Sequence, residues 1–195
     1  MNNLVQRSRE EEVVRPAPPG FPDHEEMELL LRVGLFSPDD AIALRKLWRI
    51  LRGQADDYLD MVLGMVAAHP ELVAALAALR EAESVLGSSD DAETTARFRR
   101  WLYETCFFPQ EPPWLKELYL EKSPQDSLTQ SSPALPPGFR HVVALAYPLV
   151  ATVRPFLAAS GRDQPEIERM QSAFLKAILL QVALLSKLYV KEGLW

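Results

Sequence analysis

Apolar residues crowd most densely in one stretch, RHVVALAYPLVATVRPFL from Arg140 to Leu157, which polar arginines bracket. Val143, Leu145, Leu149, Val150 and Val153 cover more than one face, the pattern of a helix buried on most sides. Pro148 lies inside it, where a proline removes one backbone hydrogen bond and bends a helix. The run is too short and too interrupted to span a bilayer. A helix of this kind needs other helices around it, so it is expected to be the core element.

The same helical spacing runs along most of the chain, and no strand-like alternation persists. Residues 1–20 are rich in proline and charge and read as a flexible tail. A short amphipathic helix is expected over Glu25–Val33, with Met27, Leu30 and Leu31 inward and Gly34 ending it. Ser37-Pro38-Asp39-Asp40 is a helix start: serine caps, proline takes the first position, and acids favour the positive end. That helix runs towards Ala68, with Gly53 and Gly64 as points where it can break. A short Ala/Leu helix, Glu71–Arg80, follows His69-Pro70; His69 is read as a cap and not as a ligand. Asp90 with Glu93 resembles a capping box, opening Asp91–Phe108, which carries Phe98, Trp101, Leu102 and Cys106 at helical spacing. Trp114–Lys122 is a short helix stopped by Pro124, and Gln125–Pro137 is a Ser/Pro-rich loop. A long last helix spans Pro165–Val190. The fold class is therefore all-α, with residues 21–195 as a single domain.

Composition narrows the partners. The net charge is −6 without a basic cluster, which argues against nucleic acid and anionic membrane. A single cysteine, Cys106, and a polar, acidic N-terminus without an apolar leader fit a reducing cytoplasm. There is no HExxH, cysteine pair, Gly-rich phosphate loop or Gly-x-Ser-x-Gly elbow, so no metal site is expected. No paired acid–base or nucleophile constellation is present either, and binding or sensing is expected rather than catalysis. Cys106 reads as a small buried hydrophobe, Tyr103 and Tyr147 as core tyrosines, and Arg99 and Arg100 as solvated helix-face charges. His24 falls in an exposed stretch.

Several segments resemble the protoglobins, the single-domain relatives of globin-coupled sensors. They are LLLRVGLFSPDD, AAHPEL, FRRWLYETCFFP followed by WLKELY, FRHVVALAYPLVATVRPFLAASG and FLKAILLQVALLSKLYVKEGLW, in the family's order. The resemblance covers Phe21 to Trp195 and implies a globin fold with an extra N-terminal helix. By analogy with globins, the helices surround a haem pocket. It implies haem b as the family cofactor, held between the Phe98 helix and the helix after Trp114.

At that site the sequence departs from the family. Counted without gaps from Trp114, the position of the proximal histidine is Gln125, and no histidine occurs between Trp114 and Arg140. Imidazole is the usual anchor for haem iron, and a neutral amide is a poor one. The position of the distal tyrosine is Leu63, while Phe98 stays apolar. The pocket implied by the resemblance is lined by Val62, Leu63, Val66, Phe98, Leu102, Leu145 and Leu149. Two readings follow. In one, the protein is a haem-free protoglobin relative that binds or senses an apolar or tetrapyrrole-like molecule. In the other, haem is held by a non-standard ligand, with His141 the candidate, and binds O2, CO or NO. Excess apolar residues on the last helix (Leu179, Leu180, Leu184, Leu188 and Tyr189) and the resemblance both lead us to expect a homodimer through the last two helices.

Overall fold

A computed structural model describes residues 18–70, 91–121 and 139–189, with the backbone alone described at 91–94, 121, 139–142 and 189. The expected helix Glu71–Arg80, the Asp90/Glu93 capping box and the loop Gln125–Pro137 lie outside the described residues. Those residues form α1 (His24–Val33), α2 (Pro38–Leu51), α3 (Ala55–Ala67), α4 (Asp91–Phe107), α5 (Pro113–Glu121), α6 (Phe139–Ala159) and α7 (Gln164–Tyr189). Among the described residues there is no strand.

The helix starts follow from local chemistry. Asp23 caps α1 by accepting the Glu26 amide at 2.9 Å. Ser37 and Asp40 form a reciprocal capping box at the start of α2, with Pro38 in the first turn. The expected long second helix breaks at Arg52-Gly53-Gln54, whereas Gly64 stays inside α3. Gly34 ends α1 in a right-handed conformation; the left-handed residue is Leu35, at φ 51°. A leucine there is strained. Its carbonyl is held by the Lys176 ammonium at 2.8 Å.

That ammonium also reaches both carboxylate oxygens of Asp40, at 3.1 and 3.0 Å, tying the α1–α2 elbow to α7. Burial pushes the Asp40 carboxyl up, but the hydrogen bonds from Lys176 and Ser37 outweigh it and hold the group below its ordinary value. A lowered folded-state value stabilises fully above the unfolded carboxyl's range, about 3.9, and the stability is lost as pH falls through the folded value. Lys176→Met should cost about 1–3 kcal/mol at neutral pH, the worth of hydrogen bonds to a charged group. It should also flatten the acid limb of the stability curve, which urea denaturation between pH 6 and 2 would read.

The centre of the molecule is α7, and not the proline-containing helix the sequence pointed to. α7 packs against α2, α4, α5 and α6. Its Ala173, Phe174 and Ala177 are fully buried. By length and composition α7 could cross a membrane, but it is the packed core helix of this fold. α6 is buried on one side only: Ala146, Val150, Val153, Phe156 and Leu157 face in, while Val143 and Tyr147 face out. The core expectation for Tyr147 is thereby corrected, since the side chain is 74% exposed. Tyr103 is also an exposed residue and stacks on Phe107 with ring centroids 4.7 Å apart.

Two apolar clusters result. The larger joins α2, α3, α4, α6 and α7. The smaller holds Phe21, Met27, Leu115, Tyr119, Leu180 and Leu184, and seats α1 and α5 on the second half of α7. Tyr119 donates its hydroxyl to the Leu184 carbonyl at 2.5 Å. Burial, with the nearby Glu26 charge, pushes that phenol up to about 12, so it remains a donor at ordinary pH. Leu180 and Leu184 are therefore core residues and not part of a partner surface. Pro112 precedes α5 and Pro113 opens it, and the Trp114 amide donates to the buried Glu104 of α4 at 2.7 Å. The other Glu104 oxygen accepts Arg100 at 2.7 Å. A carboxylate at a helix N-terminus meets unpaired amides and the positive end of the dipole, which fixes how α5 leaves α4.

Candidate functional site

The site is assembled from α3, α4 and α6. On α3 the inward residues recur every fourth position: Tyr58, Val62 and Val66, all buried. α4 adds Phe98, Leu102 and Cys106, and α6 adds Leu145 and Leu149, all in the larger cluster. Of the residues expected to line a pocket, the structure thus brings together Val62, Val66, Phe98, Leu102, Leu145 and Leu149. Leu63 falls off the stripe and is 41% exposed, because it sits about 100° around α3 from Val62.

Tyr58 is the site residue that sequence reasoning missed. Its spacing of four from Val62 and eight from Val66 carried the signal. The ring is fully buried and lies 5.4 Å from Phe98 and 5.8 Å from Phe156, centroid to centroid. The hydroxyl donates to the Leu149 carbonyl at 2.6 Å. Burial drives its ionisation far above the ordinary phenol value, so it is a neutral donor. A hydroxyl is therefore present on this wall, although Leu63 does not supply it.

Behind Phe98, Trp101 lies 5.3 Å away and reaches Phe174 of α7 at 6.3 Å. The Trp101 indole donates to Gln181 Oε1 at 3.1 Å, and Gln181 Nε2 donates to Thr105 Oγ1 at 2.9 Å. Thr105 returns its proton to the Trp101 carbonyl at 2.8 Å. This closed polar ring sits in an otherwise apolar contact and sets the register of α4 on α7.

The remaining candidates are committed elsewhere. Arg99 makes a two-point pair with Asp56 of α3, at 2.8 and 2.5 Å. Arg100 holds Glu104 and Glu117. Both are exposed helix-face charges, as expected, and each is paired with carboxylates. Cys106 is buried as expected, and burial pushes its thiol far up, so it is no thiolate. His24 and His69 are exposed. His141 is in the first turn of α6, with its side chain outside the described residues, as is Gln125.

Against a haem, this wall divides. Its side chains are apolar, as a porphyrin face requires, and Tyr58, Val66 and Leu102 are packed within the larger cluster. For the iron it offers no free donor among the described residues: the Tyr58 hydroxyl is bound to Leu149, and the Cys106 thiol keeps its proton. Among the described residues the wall therefore does not fit the metal, and no iron chemistry is derived from it.

Helices of this order, with an apolar wall between α3, α4 and α6 and a long core helix last, define a globin-like all-α protein. The protoglobin family model matches residues 23–195, and the chain belongs to that family. No curated protein matches it. The family places the chain among globin-type ligand-binding or sensing proteins.

Proposed function

We propose that this chain is a haem-free member of the protoglobin family that binds or senses a small apolar or tetrapyrrole-like molecule against the α3–α4–α6 wall. The observation that carries this reading is the pairing of a retained apolar wall with the absence of a free iron donor among its described residues. Arg99 and Arg100 are already neutralised by carboxylates, which favours a neutral or weakly charged ligand over one needing two cations. Native mass spectrometry of protein purified from cells tests it. A co-purifying molecule of a few hundred daltons, lost in Leu149→Trp, supports the reading. Chain mass alone, with no thermal shift on adding protoporphyrin IX, contradicts it. The second reading, haem ligated by His141, predicts stoichiometric haem that is lost in His141→Ala.

A homodimer through α6 and α7 is part of the same proposal. Gln171 donates to the Val150 carbonyl at 3.3 Å and sets the level of the two antiparallel helices. Val143 and Tyr147 of α6 and Leu175 and Leu179 of α7 are all exposed. This outward apolar face is what a second copy would cover. Leu179→Glu, 47% exposed in the single chain, should give folded monomers in sedimentation velocity, with an unfolding midpoint that no longer depends on protein concentration. Wild-type protein sedimenting as a monomer at micromolar concentration would contradict the dimer.

A further inference from the structure

Three consecutive carbonyls of α6 each accept a side-chain hydrogen bond, and the donors come from three different helices. Pro148 O accepts the Thr152 hydroxyl of α6 itself at 2.6 Å. Leu149 O accepts Tyr58 of α3 at 2.6 Å, and Val150 O accepts Gln171 of α7 at 3.3 Å. The stretch lies where α6 is least able to hold itself. Pro148 and Pro155, both inside the helix, lack backbone donors, so the carbonyls of Ala144 and Ala151 lose their ladder partners. The prolines are seven positions apart, almost two turns, so both gaps fall on one face. The three bonded carbonyls lie between these two gaps, and side-chain bonds to helix carbonyls bend a helix locally.

We propose that residues 148–150 of α6 form a coupling node through which a change at the Tyr58 wall reaches α7. The proposal rests on the reading of that wall as the ligand site. Tyr58 is its sensing arm, since its ring contacts Phe98 on the wall and its hydroxyl grips the weakened stretch. Gln171 is the output arm, since it grips the next carbonyl from α7, the helix that carries the outward apolar face. A ligand that displaces the Tyr58 ring frees Leu149 O, lets the proline-interrupted segment shift, and alters the Gln171 contact. Adjacent peptide units are covalently linked, so Leu149 O and Val150 O cannot move independently.

Coupling of this kind is established only by a double-mutant comparison. The experiment is hydrogen exchange on the full, ligand-free chain, so its failure removes the node and leaves the binding reading standing. Tyr58→Phe should raise exchange of the α7 amides at 167–174 by about fivefold, the factor expected for one net hydrogen bond. The α2 amides at 43–47, packed on the same helix, should stay unchanged. In a Gln171→Met background, Tyr58→Phe should affect α3 and α6 only. An equal rise in α7 with and without Gln171, a parallel rise in α2, or no rise in α7 at all would each overturn the node. Should Tyr58→Phe not fold, Gln171→Met alone reads it in reverse: exchange at α3 residues 58–66 rises if the node exists, and silence there overturns it.

Discussion

Leu184→Glu abolishes the native state. Leu184 is 0% exposed, and Phe21, Met27, Leu115, Tyr119 and Leu180 belong to the same cluster. Truncating a buried leucine alone costs about 2–5 kcal/mol, through lost transfer energy and the cavity left behind. A carboxylate at that place adds the cost of an unpaired buried group, another several kcal/mol unless it takes up a proton. A domain of this size has about 5–15 kcal/mol in all, so the sum consumes most of it. The expected result in guanidinium denaturation is a midpoint collapsed towards zero denaturant, with α1 and α5 released first because this cluster seats them. A folded monomer of wild-type stability would instead place Leu184 on a subunit interface.

Gln181→Leu has the next largest effect. Leucine matches the volume, so packing survives, but the polar ring opens. The Trp101 indole N–H and one Thr105 lone pair lose their partner in a buried contact. An orphaned buried donor costs about 1–3 kcal/mol, and added apolar burial offsets only part of it. A loss of about 2 kcal/mol is expected in urea denaturation. Adding Trp101→Phe and Thr105→Val should recover most of it, because an apolar contact without stranded groups is nearly neutral. A triple variant less stable than Gln181→Leu would show that packing, and not polar pairing, governs this contact.

Much of the fold was legible because it rests on local signals. Ser37-Pro38-Asp39-Asp40 specifies a helix start through its own hydrogen bonds, and the structure keeps it. The break near Gly53 and the periodic apolar face of α7 were legible for the same reason. What failed depended on three-dimensional choices. The sequence marks Leu145–Val153 and Phe174–Leu185 as equally apolar, and only packing reveals that α7, against which α2, α4, α5 and α6 pack and on which α1 is seated, is the centre. Leu180 and Leu184 resembled surplus surface because their partners, Met27 and Tyr119, come from distant short helices. The family resemblance implies Val62, Val66, Phe98, Leu102, Leu145 and Leu149 as pocket residues, and they share one apolar cluster. Leu63 was misplaced by a rotation of one residue, and Tyr58 was overlooked because an inward tyrosine reads as plain core until its hydroxyl partner is seen.

Among the described residues, the apolar wall between α3, α4 and α6 presents no free donor for a haem iron. Titration with hemin, followed by gel filtration, reduction and exposure to carbon monoxide, tests it most directly. The expected result is substoichiometric uptake, driven by apolar burial alone, with no reversible carbon-monoxide spectrum after filtration. One haem per chain that survives filtration and gives that spectrum reversibly would contradict it.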